Sequence, residues 1–195
     1  MRITPLSVPK SKRLALATEV QRATEVGPLP DPVCRPNCPD VNLTHRCHRD
    51  CANASRQLSS EGGAYPLEPG ITPLVFELKK LGVFEPCWSC EGHRGSNGEL
   101  WKIPRVWFFS DSVVHVRALA VAVGHLFDTG SLSARWHIIL THSDLNNPQT
   151  TFSLEPVQGQ GELDLEKLQS DTLHIARALE PGFTLACEKL IANAK

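Results

Sequence analysis

The residues best suited to chemistry lie in the stretch CRPNCPDVNLTHRCHRDC, which holds four cysteines and two histidines between Cys34 and Cys51. The cysteines follow the spacing C-x3-C-x8-C-x3-C and so form two close pairs. A zinc ion needs four thiolate or imidazole ligands in a tetrahedral arrangement, commonly supplied as two such pairs. A segment this short buries little apolar surface, so a bound metal would supply its folding energy. The pattern therefore predicts a zinc site formed by Cys34, Cys38, Cys47 and Cys51.

Other interpretations of this stretch are open. His45 or His48 could replace one of the thiols as a zinc ligand. The same cysteines could instead form two disulfides in a helical hairpin, or remain free thiols in a disordered arm. The odd number of cysteines, seven in the chain, argues against complete pairing. Reduced cysteines are typical of cytoplasmic proteins, the location that we expect here because no signal-peptide pattern or long apolar run is present.

The second reactive stretch is FEPCWSCEGHRG, in which Cys87 and Cys90 form a C-x2-C half-site with His93 close behind. These three residues predict a further metal site, with His142 or a water molecule completing the ligand shell. A redox dithiol has the same spacing, but no helix pattern begins at the second cysteine to lower a thiol pKa. A buried strand end, with a turn at Gly92, is the structural alternative. Further candidates for ligand contacts around this loop are Ser89, Glu91, Arg94, Arg105 and His142.

The elements that must position these residues follow from hydrophobic periodicity. TPLVFELKKLG predicts a helix that Thr72 caps and Gly82 ends. VFEPCWSC and PRVWFFS predict strands joined by a loop, and SDSVVHVRALAVAVGHLF predicts a buried helix that begins at Ser110 or Asp111. ARWHIILTHSD and TTFSLEP predict a hairpin, and the last helix is expected to break at Pro181. The order α-β-β-α-β-β-α predicts an α+β domain in which helices cover a four-stranded, largely antiparallel sheet.

Composition divides the chain into four parts. Residues 1–33 are basic and rich in proline, which predicts a mobile arm with some helix around Leu14–Ala23. Residues 34–54 form the cysteine-rich module, and residues 55–70 are read as a linker because glycine and proline are frequent there. Residues 71–195 are assigned to the α+β domain.

Charge and length exclude several classes of partner. The formal net charge of −1 provides no global field that would attract nucleic acid or an anionic membrane. Four tryptophans, with Arg94, Lys102, Arg105 and Arg135 nearby, could stack on bases and meet phosphates, so nucleic acid is a partner that we consider but do not favour. The expected partner is an unidentified protein or small molecule, and no membrane.

Part of the chain also carries a resemblance. The segment from Thr72 to Phe109, with SCEGH at its centre, resembles uncharacterised bacterial proteins that bear a Ser-Cys-x-Gly-His signature. It is more faintly similar to the wybutosine-pathway tRNA methyltransferase-like family, through Ser89, Cys90 and Gly92. Glu91 and His93 depart from the motif of that tRNA family. The resemblance implies an α/β order of elements and, remotely, S-adenosylmethionine and tRNA as ligands.

Together these patterns predict a small metal-binding protein, with zinc as the metal, that acts as a binding or regulatory module. The competing prediction is an enzyme that uses residues 87–93 in thiol redox chemistry or in nucleic-acid modification. No glycine-rich phosphate loop, EF-hand loop or H-E-x-x-H motif is present in the sequence. Whether the protein is an enzyme is therefore left open.

Overall fold

The computed structural model describes residues 9–25, 32–44, 47–141, 150–159 and 162–193. The helices are α1 (Lys10–Glu25), α2 (Pro39–Thr44), α3 (Ala54–Leu58), α4 (Thr72–Lys80), α5 (Val113–Asp128) and α6 (Leu165–Ala192). The strands are β1 (Glu85–Cys90), β2 (His93–Arg94), β3 (Leu100–Lys102), β4 (Arg105–Phe109), β5 (Trp136–Thr141) and β6 (Thr151–Pro156). Among these helices, none combines the length and the apolar character that crossing a membrane would require.

Four strands form one antiparallel sheet in the order β1-β4-β6-β5, which confirms the predicted α+β class. Val106 pairs with Leu154, and Phe108 pairs with Phe152, so these four apolar side chains share one face of the sheet. All four are buried, in one core cluster with residues of α4, α5 and α6. The helices therefore cover that face, and β1 lies at the edge of the sheet. The expected loop between β1 and β4 contains a second, two-stranded sheet of β2 and β3.

The helix ends differ in detail from the sequence expectations. Ile71, not Thr72, is the first flanking residue of α4, and Thr72 donates its hydroxyl hydrogen to the carbonyl of Glu68. Ser112 caps α5 by accepting a hydrogen bond from a backbone N–H two residues later. The expected break at Pro181 is absent, because α6 continues through it. Buried side chains before and after the proline pack into the core, and this burial outweighs the local cost of about 3 kcal/mol.

The chain before residue 71 packs on the domain more closely than its composition suggested. Helix α1 covers the expected helical stretch, and its Val20 is buried in the main core cluster. The expected linker contains α3, and the backbone N–H of Leu67 bonds to the carbonyl of Ser55 at 2.9 Å. Apolar contacts with α4 and α6, which the sequence could not reveal, explain this order. The mobility of residues 1–33 stays a prediction, although α1 is packed in the structure.

Candidate metal centres

The fold brings the two halves of the cysteine-rich module together. Cys34 and Cys38 are buried, and they form a small apolar cluster with Val33, Ala54 and Phe76. Cys47 and Cys51 are half-buried and pack against the same cluster. The four thiols thus lie around one small core. All seven cysteines of the chain are free thiols in the structure.

Three side chains of the module could hold a metal ion directly. The ligand atoms of Cys38, Asp40 and Cys51 all lie within 4.8 Å of one another. The Cys51 thiol donates a hydrogen bond of 2.6 Å to Oδ2 of Asp40, and it accepts one of 3.3 Å from the backbone N–H of Asn53. A cavity of about 210 Å³ opens beside them, lined by Cys38, Asp40, Val41, Cys47, His48, Asp50 and Cys51. These side chains could therefore hold a metal ion.

The other two cysteines meet next to this group. The backbone N–H of Cys34 donates to Sγ of Cys47 at 3.3 Å, although the two residues are thirteen positions apart. An N–H directed at a cysteine sulfur stabilises the thiolate form that a metal requires. The structure thus brings each predicted cysteine pair into contact with the other, Cys34 with Cys47 and Cys38 with Cys51.

The electrostatics of the module oppose an uncompensated thiolate. Burial raises the pKa of the Cys34 thiol, and the hydrogen bond to Cys47 and the charges of the neighbouring thiols raise it further. Burial, followed by the hydrogen bond to Asp40, raises the pKa of Cys51 to about 11. These raised pKa values favour the protonated thiols of Cys34 and Cys51 at neutral pH in the metal-free protein. A divalent cation would reverse this preference, because it stabilises several adjacent negative sulfurs.

The module is fastened to α4 by two kinds of contact. Phe76 of α4 is buried within the cysteine cluster, while its neighbour Val75 packs into the main core. Arg49 donates to Oε1 of Glu77 at 2.9 Å, and the Glu77 side chain is only 4% exposed. These contacts hold the module against α4, and the division into module, linker and domain stays a prediction.

The second reactive stretch is split by an irregularity in β1. The register between β1 and β4 shifts between Pro86 and Trp88, and Cys87 lies at this shift. Cys87 is exposed, whereas Cys90 is buried at the end of the strand. Among the residues described, the group of ligand atoms that contains Cys90 does not include Cys87. Cys87 as a metal ligand therefore remains a prediction from spacing alone.

Cys90 instead meets His93 and Glu68. One ligand atom from each of the three residues lies within 4.8 Å of the others. Gly92 makes this possible, since its φ of 85° turns the chain, and an added Cβ would lie 2.7 Å from Cδ1 of Leu165. The turn at Gly92 was expected from the sequence and is confirmed. Nε2 of His93 and Oε1 of Glu68 are 2.8 Å apart.

The two thiols of the C-x2-C pair do not have the character of an active dithiol. Desolvation raises the pKa of both thiols above that of an ordinary thiol, through burial for Cys90 and through partial shielding by neighbouring atoms for the surface-exposed Cys87. The nearby charge of Glu68 raises the pKa of Cys90 further, against opposing effects of its backbone bond to Gly92 and of two basic side chains. Redox-active dithiols have lowered pKa values, so this environment argues against the redox interpretation.

The other predicted contact residues are dispersed. Glu91 accepts a hydrogen bond of 2.7 Å from the backbone N–H of Gly70 and so holds the backbone beside the group. Arg94 is paired with Glu166 at 2.6 Å, and Arg105 lies 3.8 Å from Glu155. Ser89 is half-buried in β1. His142 and His45 lie outside the described residues.

The tryptophans do not form one surface. Trp136 is buried in the core, where its indole N–H bonds to Asp171. Trp88 and Trp107 lie side by side on the sheet with ring centroids 5.0 Å apart, and Trp101 is exposed next to Lys102. At least one of the four is thus a core residue, and the pair on the sheet is the remaining candidate for stacking.

Sequence reasoning missed two residues of these groups. Asp40 directly follows Pro39 in the module, and its position two residues after Cys38 was the available signal. Glu68 lies between Pro66 and Pro69 in the expected linker, where nothing in the sequence connects it to SCEGH.

No known protein-family model matches this chain, and comparisons with curated proteins and with solved structures find no match. The resemblance to proteins with a Ser-Cys-x-Gly-His signature, and to the tRNA methyltransferase-like family, therefore stays a prediction. The geometry of the two side-chain groups is what points to a function.

Proposed function

We propose that this protein binds zinc through the cysteine-rich module, with Cys34, Cys38, Cys47 and Cys51 as ligands, and acts in the cytoplasm as a binding or regulatory protein. One observation carries the proposal. Cys38, Asp40 and Cys51 bring their ligand atoms within 4.8 Å of one another; among the described residues this group does not include Cys34 or Cys47, which pack around the same small core.

Zinc suits this set of donors better than the other common divalent cations. Thiolate ligands favour zinc, whereas magnesium and calcium select oxygen ligands. Asp40 would hold the module around the ion, since its Oδ2 accepts from both the Cys51 thiol and the Asn53 amide. Thiolate ligands also require a reducing compartment, which supports the proposed cytoplasmic location.

A groove next to the module supports the binding function. It has a volume of about 830 Å³, within the usual range for ligand pockets. Val33, Cys34 and Arg35 line one side of it, and residues 85–89 of the β1 edge line the other. A metal that fixes the position of Cys34 would thereby also fix one wall of the groove. We propose that the partner, a protein or a small molecule, binds there only when zinc is bound.

The enzyme alternative has weaker support. Thiol redox chemistry at Cys87 and Cys90 would need a lowered thiol pKa, and burial raises both values. Nucleic-acid modification remains a proposal carried only by the resemblance of residues 72–109.

The direct test is metal content together with cysteine labelling. Protein purified without chelator should contain zinc, and Cys34, Cys38, Cys47 and Cys51 should alkylate slowly until a chelator is added. Cys187 is the matched control, because it is buried in α6 away from the module and should label slowly with or without chelator. Metal-free protein in which a chelator leaves labelling of the four thiols unchanged would refute the proposal.

A further inference from the structure

Cys90 and His93 lie three positions apart in the chain, and Glu68 comes from an earlier segment. Glu68 precedes α4, Cys90 ends β1, and His93 begins β2. We infer that these three side chains form a second metal centre, which binds a divalent ion of the zinc type and leaves one coordination position open to solvent. This inference does not rest on zinc binding by the cysteine-rich module, since the two groups share no residue.

The donor set defines the class of metal. Thiolate and imidazole donors exclude magnesium and calcium, which take oxygen ligands, and the carboxylate of Glu68 is an accepted third ligand for zinc or cobalt. Structural zinc sites have four protein ligands, whereas sites that bind water or substrate have three. With one thiol, one imidazole and one carboxylate, this group has the composition of the second kind.

Two of the three ligands, Glu68 and Cys90, accept hydrogen bonds from neighbouring backbone groups. Oε2 of Glu68 accepts the backbone N–H of Glu91 at 2.6 Å, so Oε1 remains directed at His93. The sulfur of Cys90 accepts the backbone N–H of Gly92. Glu91 in turn accepts the N–H of Gly70, which ties the segment of Glu68 to the strand end. Such supporting bonds orient ligands and raise metal affinity.

The open position faces accessible space. Cys90 is 4% exposed and lies at the base of the group, while the side chains of His93 and Glu68 are 36% and 35% exposed. Glu68 also lines the groove beside the cysteine-rich module. Water or a small anionic molecule can therefore reach an ion held by the three side chains. Glu68 thus takes the place that the sequence assigned to Cys87.

Titration with Co²⁺ tests the inference, because cobalt bound to thiolate absorbs visibly and occupies zinc sites. Reduced, metal-free protein should bind two ions per chain if both centres exist. Cys90→Ser should reduce the number of bound ions from two to one. Glu68→Gln should lower the affinity for one of the two ions by at least about tenfold. Cys87→Ser is the matched control, because it removes a thiol three positions away on the same strand. This variant should bind both cobalt ions with unchanged affinity. Circular dichroism would verify the fold of each variant.

The outcomes separate this inference from the proposed function. If Cys38→Ser removes no ion but Cys90→Ser removes one, the module fails as a metal site and the second centre stands. If Glu68→Gln and Cys90→Ser leave cobalt binding unchanged in folded protein, the second centre is refuted. An equal loss for Cys87→Ser and Cys90→Ser, with none for Glu68→Gln, would also refute it, because the C-x2-C pair would then be the ligand set.

Discussion

The Arg49–Glu77 pair should make the cysteine-rich module part of the cooperative unit that unfolds with the domain. Glu77 is almost fully buried, and Arg49, at 27% exposure, is its closest cation in the structure at 2.9 Å. Removing one partner of a buried ion pair costs about 3–5 kcal/mol. We expect Arg49→Gln to lower the free energy of unfolding by only about 2 kcal/mol. The loss is smaller because Arg49 is partly exposed and because Lys80 lies 3.9 Å from the same carboxylate.

A chain of this length loses about 2–4 °C of Tm for each kcal/mol, so Arg49→Gln should lower Tm by about 4–8 °C. Thermal unfolding followed by far-UV circular dichroism would measure it, because α5 and α6 dominate that signal. Lys79→Gln is the matched control, since Lys79 pairs with Glu85 on the surface of the same region and should cost under about 1 kcal/mol.

The refuting result is an unchanged main transition for Arg49→Gln. A module joined to the domain by a flexible linker would give that result, because the pair would then be absent in solution. Zinc binding should have the same kind of effect. At a free zinc concentration of about 100 times the Kd of the module, the main unfolding transition of the protein should be stabilised by about 2.7 kcal/mol. A module that unfolds separately would instead show this stabilisation in a minor transition of its own.

Three further results are expected. Zinc affinity should rise with pH by at least about tenfold per unit near neutrality, because the Cys51 thiol, with its pKa raised to about 11, must lose its proton to bind; competition titrations against a chelator would show a flat profile if this is wrong. Gly92→Ala should cost about 2–3 kcal/mol in thermal unfolding, since it adds a steric clash to the positive φ, whereas Gly98→Ala has the same kind of φ without a neighbour and should cost about 1 kcal/mol. Fluorescence titration should show no binding of single-stranded RNA at low salt, and binding that weakens steeply with salt would restore nucleic acid as a partner.

The element types of the periodic parts of the chain were predictable because their local patterns distinguish helix from strand. TTFSLEP correctly predicted a strand, and SDSVVHVRALAVAVGHLF correctly predicted a helix. The expected burial differs, because β6 is buried on both faces, and α5 leaves Val113 and Val121 exposed. Pro181 shows where a local rule fails, since burial of Leu179 and Phe183 on either side keeps α6 continuous. The packing of Val20 was not visible in the sequence, because the apolar surface that receives it lies on distant helices.

The two candidate centres also differ in how far the sequence alone could predict them. The cysteine-rich module was predictable from spacing, because its donors lie close together in the chain. Glu68 was not, since only tertiary structure brings it to Cys90 and His93. The exclusion of Cys87 from that group depends on an irregular strand register, which no sequence pattern encodes.

Zinc-edge X-ray absorption on zinc-loaded Cys90→Ser protein tests the central claim most directly, because that variant lacks the second centre. We predict one zinc per chain, with a shell of sulfur atoms at about 2.3 Å. A shell made only of nitrogen and oxygen at about 2.0–2.2 Å, or a protein that retains no zinc after dialysis, would contradict zinc binding by Cys34, Cys38, Cys47 and Cys51.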